Sequence, residues 1–120
     1  MSALPGKQAE RLPTRMSVED MRQNAAEAVA LLKSLANESR LMIMCVLAEG
    51  ELSVGELNQR IELSPSALSQ HLAVLRNQGL VTTRREAQII RYALADSDAI
   101  PLIELLHDIF CVNEAGGRPC

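Results

Sequence analysis

The chain has 120 residues, 48% of them apolar, with three cysteines and a net charge of −3. That composition suits one compact domain with a real core and excludes a disordered chain. The longest apolar run, Leu41 to Ala48, is too short to cross a bilayer.

The opening stretch MSALPGKQAERLPTRMS carries basic residues but lacks the apolar segment of a secretory signal. A cytoplasmic protein is expected, with no membrane partner. There, thiols stay reduced unless they have a redox or metal role. The acidic balance argues against nucleic acid only until its distribution is read. From Arg60 to Arg91 there are five arginines against Glu62 and Glu86, a local +3 that leaves −6 for the rest. A basic stripe on an acidic body still attracts phosphate, because the local field decides that contact.

Residues 1–16, with two prolines and a glycine, read as a loose arm. Ser17 and Asp20 suit a capping-box-like start for a first helix. Its apolar positions Met21, Ala25, Ala28, Val29, Leu32 and Leu35 follow helical spacing. Asn37 caps a second helix over Glu38 to Ala48, closed by Gly50. Ser53 and Glu56 form another capping box, opening a short helix to about Arg60. Ser64 followed by Pro65 starts a fourth helix that runs to Asn77 and stops at Gly79. LVTTRREAQIIRYAL then turns β-branched and reads as a hairpin, with strands Val81–Arg84 and Ile89–Leu94 around a polar interruption. A last helix in ADSDAIPLIELLHDIFC takes Asp96 or Asp98 as cap and confines Pro101 to its first turn. Residues 113–120 read as a flexible tail. The expected fold is mainly α with a β-hairpin, in the order α-α-α-α-β-β-α, with residues 17–112 as the folded domain.

The helix from Ser53, the turn at Glu62–Leu63 and the helix from Ser64 have the dimensions of a helix-turn-helix. In the second of these helices Leu68, Leu72 and Leu75 fall at i, i+4 and i+7 and must face the core. Ser66, Ser69, Gln70 and His71 are then left outside, as short hydrogen-bonding groups near a helix N-terminus. That suits a helix reading base edges, with Arg84, Arg85 and Arg91 of the hairpin set along the phosphate backbone or in a minor groove as a wing. Any one of these side chains would also fit an ordinary polar face; the whole assembly would not. With one Tyr and one Phe in the chain, base stacking on single strands has little support.

The segments NESRLMIMCVL, ELSVGEL, LSPSALSQHLAVLRNQGLV and RREAQIIRYAL closely resemble the ArsR/SmtB-type winged-helix repressors over about residues 20–112. The resemblance implies a winged helix-turn-helix homodimer, built mainly by the first and last helices, that binds an inverted repeat in double-stranded DNA. It also implies that Ser66, Ser69, Gln70 and His71 lie at DNA-contacting positions. Many such repressors sense metals. One family site needs cysteines in the segment matching ELSVGEL, where this chain has Ser53 and Gly55. Another uses acidic and histidine ligands along the last helix, where this chain offers Asp98, Glu104, His107 and Asp108, with a single imidazole. No metal site and no cofactor are expected, and metal-responsive repression stands as the alternative.

The placement of Cys45 in the second helix and Cys111 at the end of the last is similar to the sulfide- and persulfide-responsive branch, the BigR-, SqrR- and HlyU-like proteins. That resemblance implies that the two thiols meet, are linked by a polysulfide or disulfide bridge, and release DNA, with a persulfide or polysulfide as inducer. His107, one turn before Cys111, favours its thiolate, while the helix C-terminus opposes it. Leu41 and Ala48 give Cys45 an apolar setting that raises its pKa. Cys111 is thus the expected attacker and Cys45 the resolver. Taken singly, each cysteine also fits a plain core role, and Cys120 is expected to have no fixed role. An enzyme is not expected, for no Cys-x-x-Cys, phosphate loop or serine triad is present. A DNA-binding antirepressor with silent cysteines remains a further reading.

Overall fold

A computed structural model describes residues 17–111. The chain divides between Leu32 and Lys33 into two compact units. In the first unit lies most of helix α1, Val18–Leu35. Ser17 Oγ accepts a 3.0 Å hydrogen bond from the Asp20 amide, so the expected serine cap forms. Of its apolar stripe, Met21, Val29 and Leu32 are exposed.

The second unit begins with the last turn of α1, where Ser34 and Leu35 are buried. Helix α2, Glu38–Leu47, starts at Asn37, whose Oδ1 accepts from the Arg40 amide at 3.0 Å. A two-residue strand β1, Leu52–Ser53, precedes helix α3, Val54–Arg60. Both arms of the expected capping box are made here: Glu56 N–H donates to Ser53 Oγ at 3.1 Å, and Ser53 N–H to Glu56 Oε1 at 2.8 Å. Helix α4, Pro65–Asn77, has Pro65 in its first turn and Ser64 Oγ accepting from the Ala67 amide. It ends in a Schellman motif, with Leu80 N–H on Leu75 O and Gly79 N–H on Arg76 O. Gly79 sits at φ +75°, where a side chain would be strained.

Strands β2 (Val81–Glu86) and β3 (Ile89–Leu94) pair antiparallel, and β1 adds to the far edge of β3 in the order β1-β3-β2. The hairpin is tighter than its sequence suggests. The polar stretch expected as an interruption joins the ladder, Arg85 opposite Ile90 and Glu86 opposite Ile89, leaving a two-residue turn at Ala87–Gln88. Ala87 takes φ +60°, as the short hairpin turn demands. Helix α5, Ala99–Phe110, differs at its cap: Asp98 makes no side-chain cap bond, and Ser97 Oγ accepts from the Ala99 amide at 3.2 Å instead.

The core of this unit is aliphatic, with Ile43, Met44, Leu57, Leu68, Leu72 and Leu75 fully buried. α2 packs against α4 and α5, and α4 against β2. The mainly α, winged helix-turn-helix architecture follows. Leu68→Ala should lower unfolding free energy by about 2–5 kcal/mol, the range for a large-to-small change in a tight core. A urea titration that shows no shift in midpoint would exclude this packing.

Candidate nucleic-acid interface and thiol cavity

The turn between α3 and α4 is tied by Asn58, whose Nδ2 donates to Leu63 O at 2.8 Å. Burial of Leu68, Leu72 and Leu75 fixes the rotation of α4. Ser66, Ser69 and Gln70 are consequently exposed, and His71 is half-buried at the edge of the same face. The side chains picked as base readers thus share one solvent face of one helix. His71 Nδ1 lies 3.4 Å from Arg40 Nη1.

The wing arginines differ from one another. Arg84 and Arg91 stand directly opposite in the β2–β3 ladder, a like-charge pairing that destabilises a sheet on its own. Carboxylates resolve it. Arg84 grips Glu51 with two bonds, Nε–Oε2 at 3.1 Å and Nη2–Oε1 at 2.7 Å. Arg91 Nε donates to Glu86 Oε1 at 2.6 Å, and its Nη1 lies 3.6 Å from Glu56. Arg85 is exposed and makes no ion pair among the described residues. Arg60 pairs with Glu49 at 2.8 Å. Of the three arginines read from the sequence as one phosphate-binding set, two are engaged within the fold and one is open.

The thiols occupy another side of the unit. Cys45 on α2 lines a cavity of about 140 Å³ with Ala48 and, from α5, Ile103, Glu104, His107 and Asp108. Burial, and secondarily the Glu49 carboxylate, pushes the Cys45 thiol above its ordinary value. Cys111 follows His107 by one turn, about 6 Å along the axis, and its amide donates to His107 O at 2.7 Å. The structure therefore brings Cys45 against the His107 turn that leads to Cys111. The two are not bonded to each other: Cys45 is a free thiol and Cys111 is disulfide-bonded. Cys120 also lies outside them. Among the described residues no three His, Cys, Asp or Glu side chains are grouped to hold a metal ion. Nor is any helix there long and apolar enough to cross a membrane.

Sequence reading missed Arg40 and Glu51, and read Glu56 only as half of a capping box. The carboxylates were hidden because their arginine partners lie far along the chain, Glu51 being 33 residues from Arg84. Their one signal was the alternation of opposite charges around strands of uncertain register.

A winged helix-turn-helix with a polar outward face on its second helix is the architecture of a bacterial DNA-binding regulator. The chain belongs to the arsR family of bacterial regulatory proteins, whose family model matches residues 37–83, and it is a transcriptional regulator of that family. It is 56% identical to the transcriptional activator HlyU of Vibrio cholerae over 96 residues, 80% of this chain and 89% of HlyU. The solved structure of reduced Vibrio cholerae HlyU superposes with a TM-score of 0.75 at 56% identity, covering 79% of this chain and all of that one. The transcriptional repressor BigR from Xylella fastidiosa gives 0.75 at 47% identity, over 82% of this chain and all of BigR.

Hydrogen bonds from Arg84 and Arg91 hold Glu51 and Glu86 below the ordinary glutamate value of 4.5, and the Ser53 amide does the same for Glu56. Depressed folded values mean that the stabilisation is present at and above 4.5 and is lost as pH falls through the lower folded values. The Nε–H protons of Arg84 and Arg91 should therefore be protected at neutral pH relative to free arginine at the same pH, and that protection should be lost on acidification below 4.5. Exchange as fast as that of free arginine at neutral pH, measured by NMR, would rule out the clamp.

Proposed function

We propose that this regulator is a homodimeric repressor of the cytoplasm that binds an inverted repeat in double-stranded DNA and is released by a thiol switch. The observation that carries the DNA reading is the two-sided character of α4: three leucines wholly buried on one face, and Ser66, Ser69 and Gln70 exposed on the other. Ser66, Ser69, Gln70 and His71 meet base edges and nearby phosphates. Arg85 meets the backbone, while Arg84 and Arg91 hold the wing in shape. The partner is a second copy. Exposed Met21, Val29 and Leu32 on α1, and Leu105, Ile109 and Phe110 on α5, are apolar surface that a lone soluble chain leaves costly. Two-fold symmetry then sets two recognition helices for two half-sites about one helical turn apart.

The switch is the pair Cys45 and Cys111. Support comes from the Cys45 cavity against His107, one turn before Cys111, and from the likeness to a relative whose structure is distinguished as reduced. The raised Cys45 thiol is a poor first nucleophile, so the Cys111 thiolate of the reduced protein attacks. It takes a sulfane sulfur from an organic persulfide and releases the thiol. Cys45 then displaces hydrosulfide to close a disulfide, or a bridge with inserted sulfur when two sulfurs have been transferred. Joining α2 to α5, which also forms the dimer, moves one recognition helix relative to its twin. A loss of about 1.4 kcal/mol already costs tenfold in affinity.

Binding is measured on the duplex that wild-type protein enriches from a random-sequence library. Arg85→Ala should weaken operator and random DNA alike and reduce the salt slope by about 1. Gln70→Ala should relax preference at particular base pairs, and equal losses on both DNAs would refute that division. Cys45→Ser and Cys111→Ser should each bind like the reduced protein and ignore an organic persulfide. Release of DNA by either variant on persulfide treatment overturns the two-cysteine switch.

A further inference from the structure

Arg40 stands where a cation is disfavoured, in the first turn of α2, at the positive end of that helix. Its side chain turns away from its own helix. Nε donates to Ser34 O at 2.7 Å and Nη2 to Lys33 O at 3.4 Å, two carbonyls in the last turn of α1. A guanidinium suits that end of α1, where the helix dipole is negative. Nη1 reaches across to His71 Nδ1 at 3.4 Å. One half-buried group thus joins the end of α1, the start of α2 and the outward helix α4.

The third contact fixes a proton. Arginine has five N–H donors and no acceptor, so a hydrogen bond along this 3.4 Å contact has His71 Nδ1 accepting, with no hydrogen of its own. The neutral ring then bears its hydrogen on Nε2, the other ring nitrogen. We infer that Arg40 is a positioning residue for DNA binding: it holds His71 in the Nε2–H form as a donor to DNA, and it sets α4 in register with the end of α1. This rests on the reading of His71 as facing DNA. Lysine cannot replace it, because an ammonium lacks the planar fork that serves three acceptors at once.

The test pairs spectroscopy with binding on the library-enriched duplex. In 15N-labelled wild-type protein at mildly alkaline pH, the His71 Nδ1 resonance should be that of an unprotonated nitrogen accepting a hydrogen bond. Arg40→Gln should shift it to that of an unbonded nitrogen. Arg40→Gln and His71→Ala should each lower DNA affinity by about tenfold, the size of one hydrogen bond to a charged group. The double variant should be no weaker than His71→Ala alone. Arg40→Lys, which keeps the charge without the fork, repeats both measurements if Arg40→Gln does not fold. A protonated Nδ1 in wild type, an Nδ1 signal that Arg40→Gln leaves unchanged, or losses that add in full in the double variant each overturn the inference. If His71→Ala binds as wild type does, the DNA-facing reading of His71 falls and Arg40's binding role falls with it. The Nδ1 signal then still reports whether the contact exists.

Discussion

Everything on the outward side of α4 depends on the burial of Leu68, Leu72 and Leu75 beneath it. Three side chains spaced at i, i+4 and i+7 fix a helix's rotation about its axis, because turning it would carry one leucine into water and leave a void behind. With rotation settled, translation is settled by the two ends: the Ser64 cap and Pro65 at the start, Gly79 at φ +75° at the finish. The serines and Gln70 need no contact of their own to be aimed. They are exposed because the opposite face is committed.

The wing obeys a different logic, electrostatic rather than apolar. Two arginines opposite each other on neighbouring strands would push the hairpin apart, and Glu51, Glu56 and Glu86 convert that repulsion into cross-links between β1, α3 and the hairpin. Each pair is partly solvated and adds little to global stability. Their collective effect is geometric: the two-residue strand β1, otherwise too short to persist, is fastened to β3 at Leu52–Tyr92 and Ser53–Arg91 and by the Arg84–Glu51 grip. The thiol region has a third character, a small apolar cavity whose acidic and imidazole groups all come from α5.

Features governed by nearby residues were legible in the sequence. Caps at Ser17, Asn37, Ser53 and Ser64 depend on residues three positions away, and all four form. The leucine face of α4 depends only on helical periodicity. What escaped was set by distance along the chain. Strand β1 exists only because β3 passes beside it, and the extra ladder pairs of Arg85 and Glu86 depend on the turn closing at Ala87. The cap of α5 was missed for a subtler reason: Ser97 and Asp98 are both competent, but Asp98 (φ −69°, ψ −11°) has helical backbone angles rather than the extended ones of an N-cap and makes no side-chain cap bond. In the candidate site, sequence pointed to the outward polar set of α4 through the helical period. It placed Arg84 and Arg91 with Arg85 because charge alone does not reveal whether a cation is already partnered.

The clamped wing has a consequence for how the protein finds its site. A genome presents a vast excess of irrelevant duplex, and loose cations hold a regulator on all of it equally. Here two of the three wing cations are satisfied internally, while the residues outside 60–91 carry a net −6. In the proposed role, fewer free cations at the wing weaken the hold of arbitrary duplex on the protein. Residence in that role falls to the sites where the α4 side chains proposed as readers find their complement.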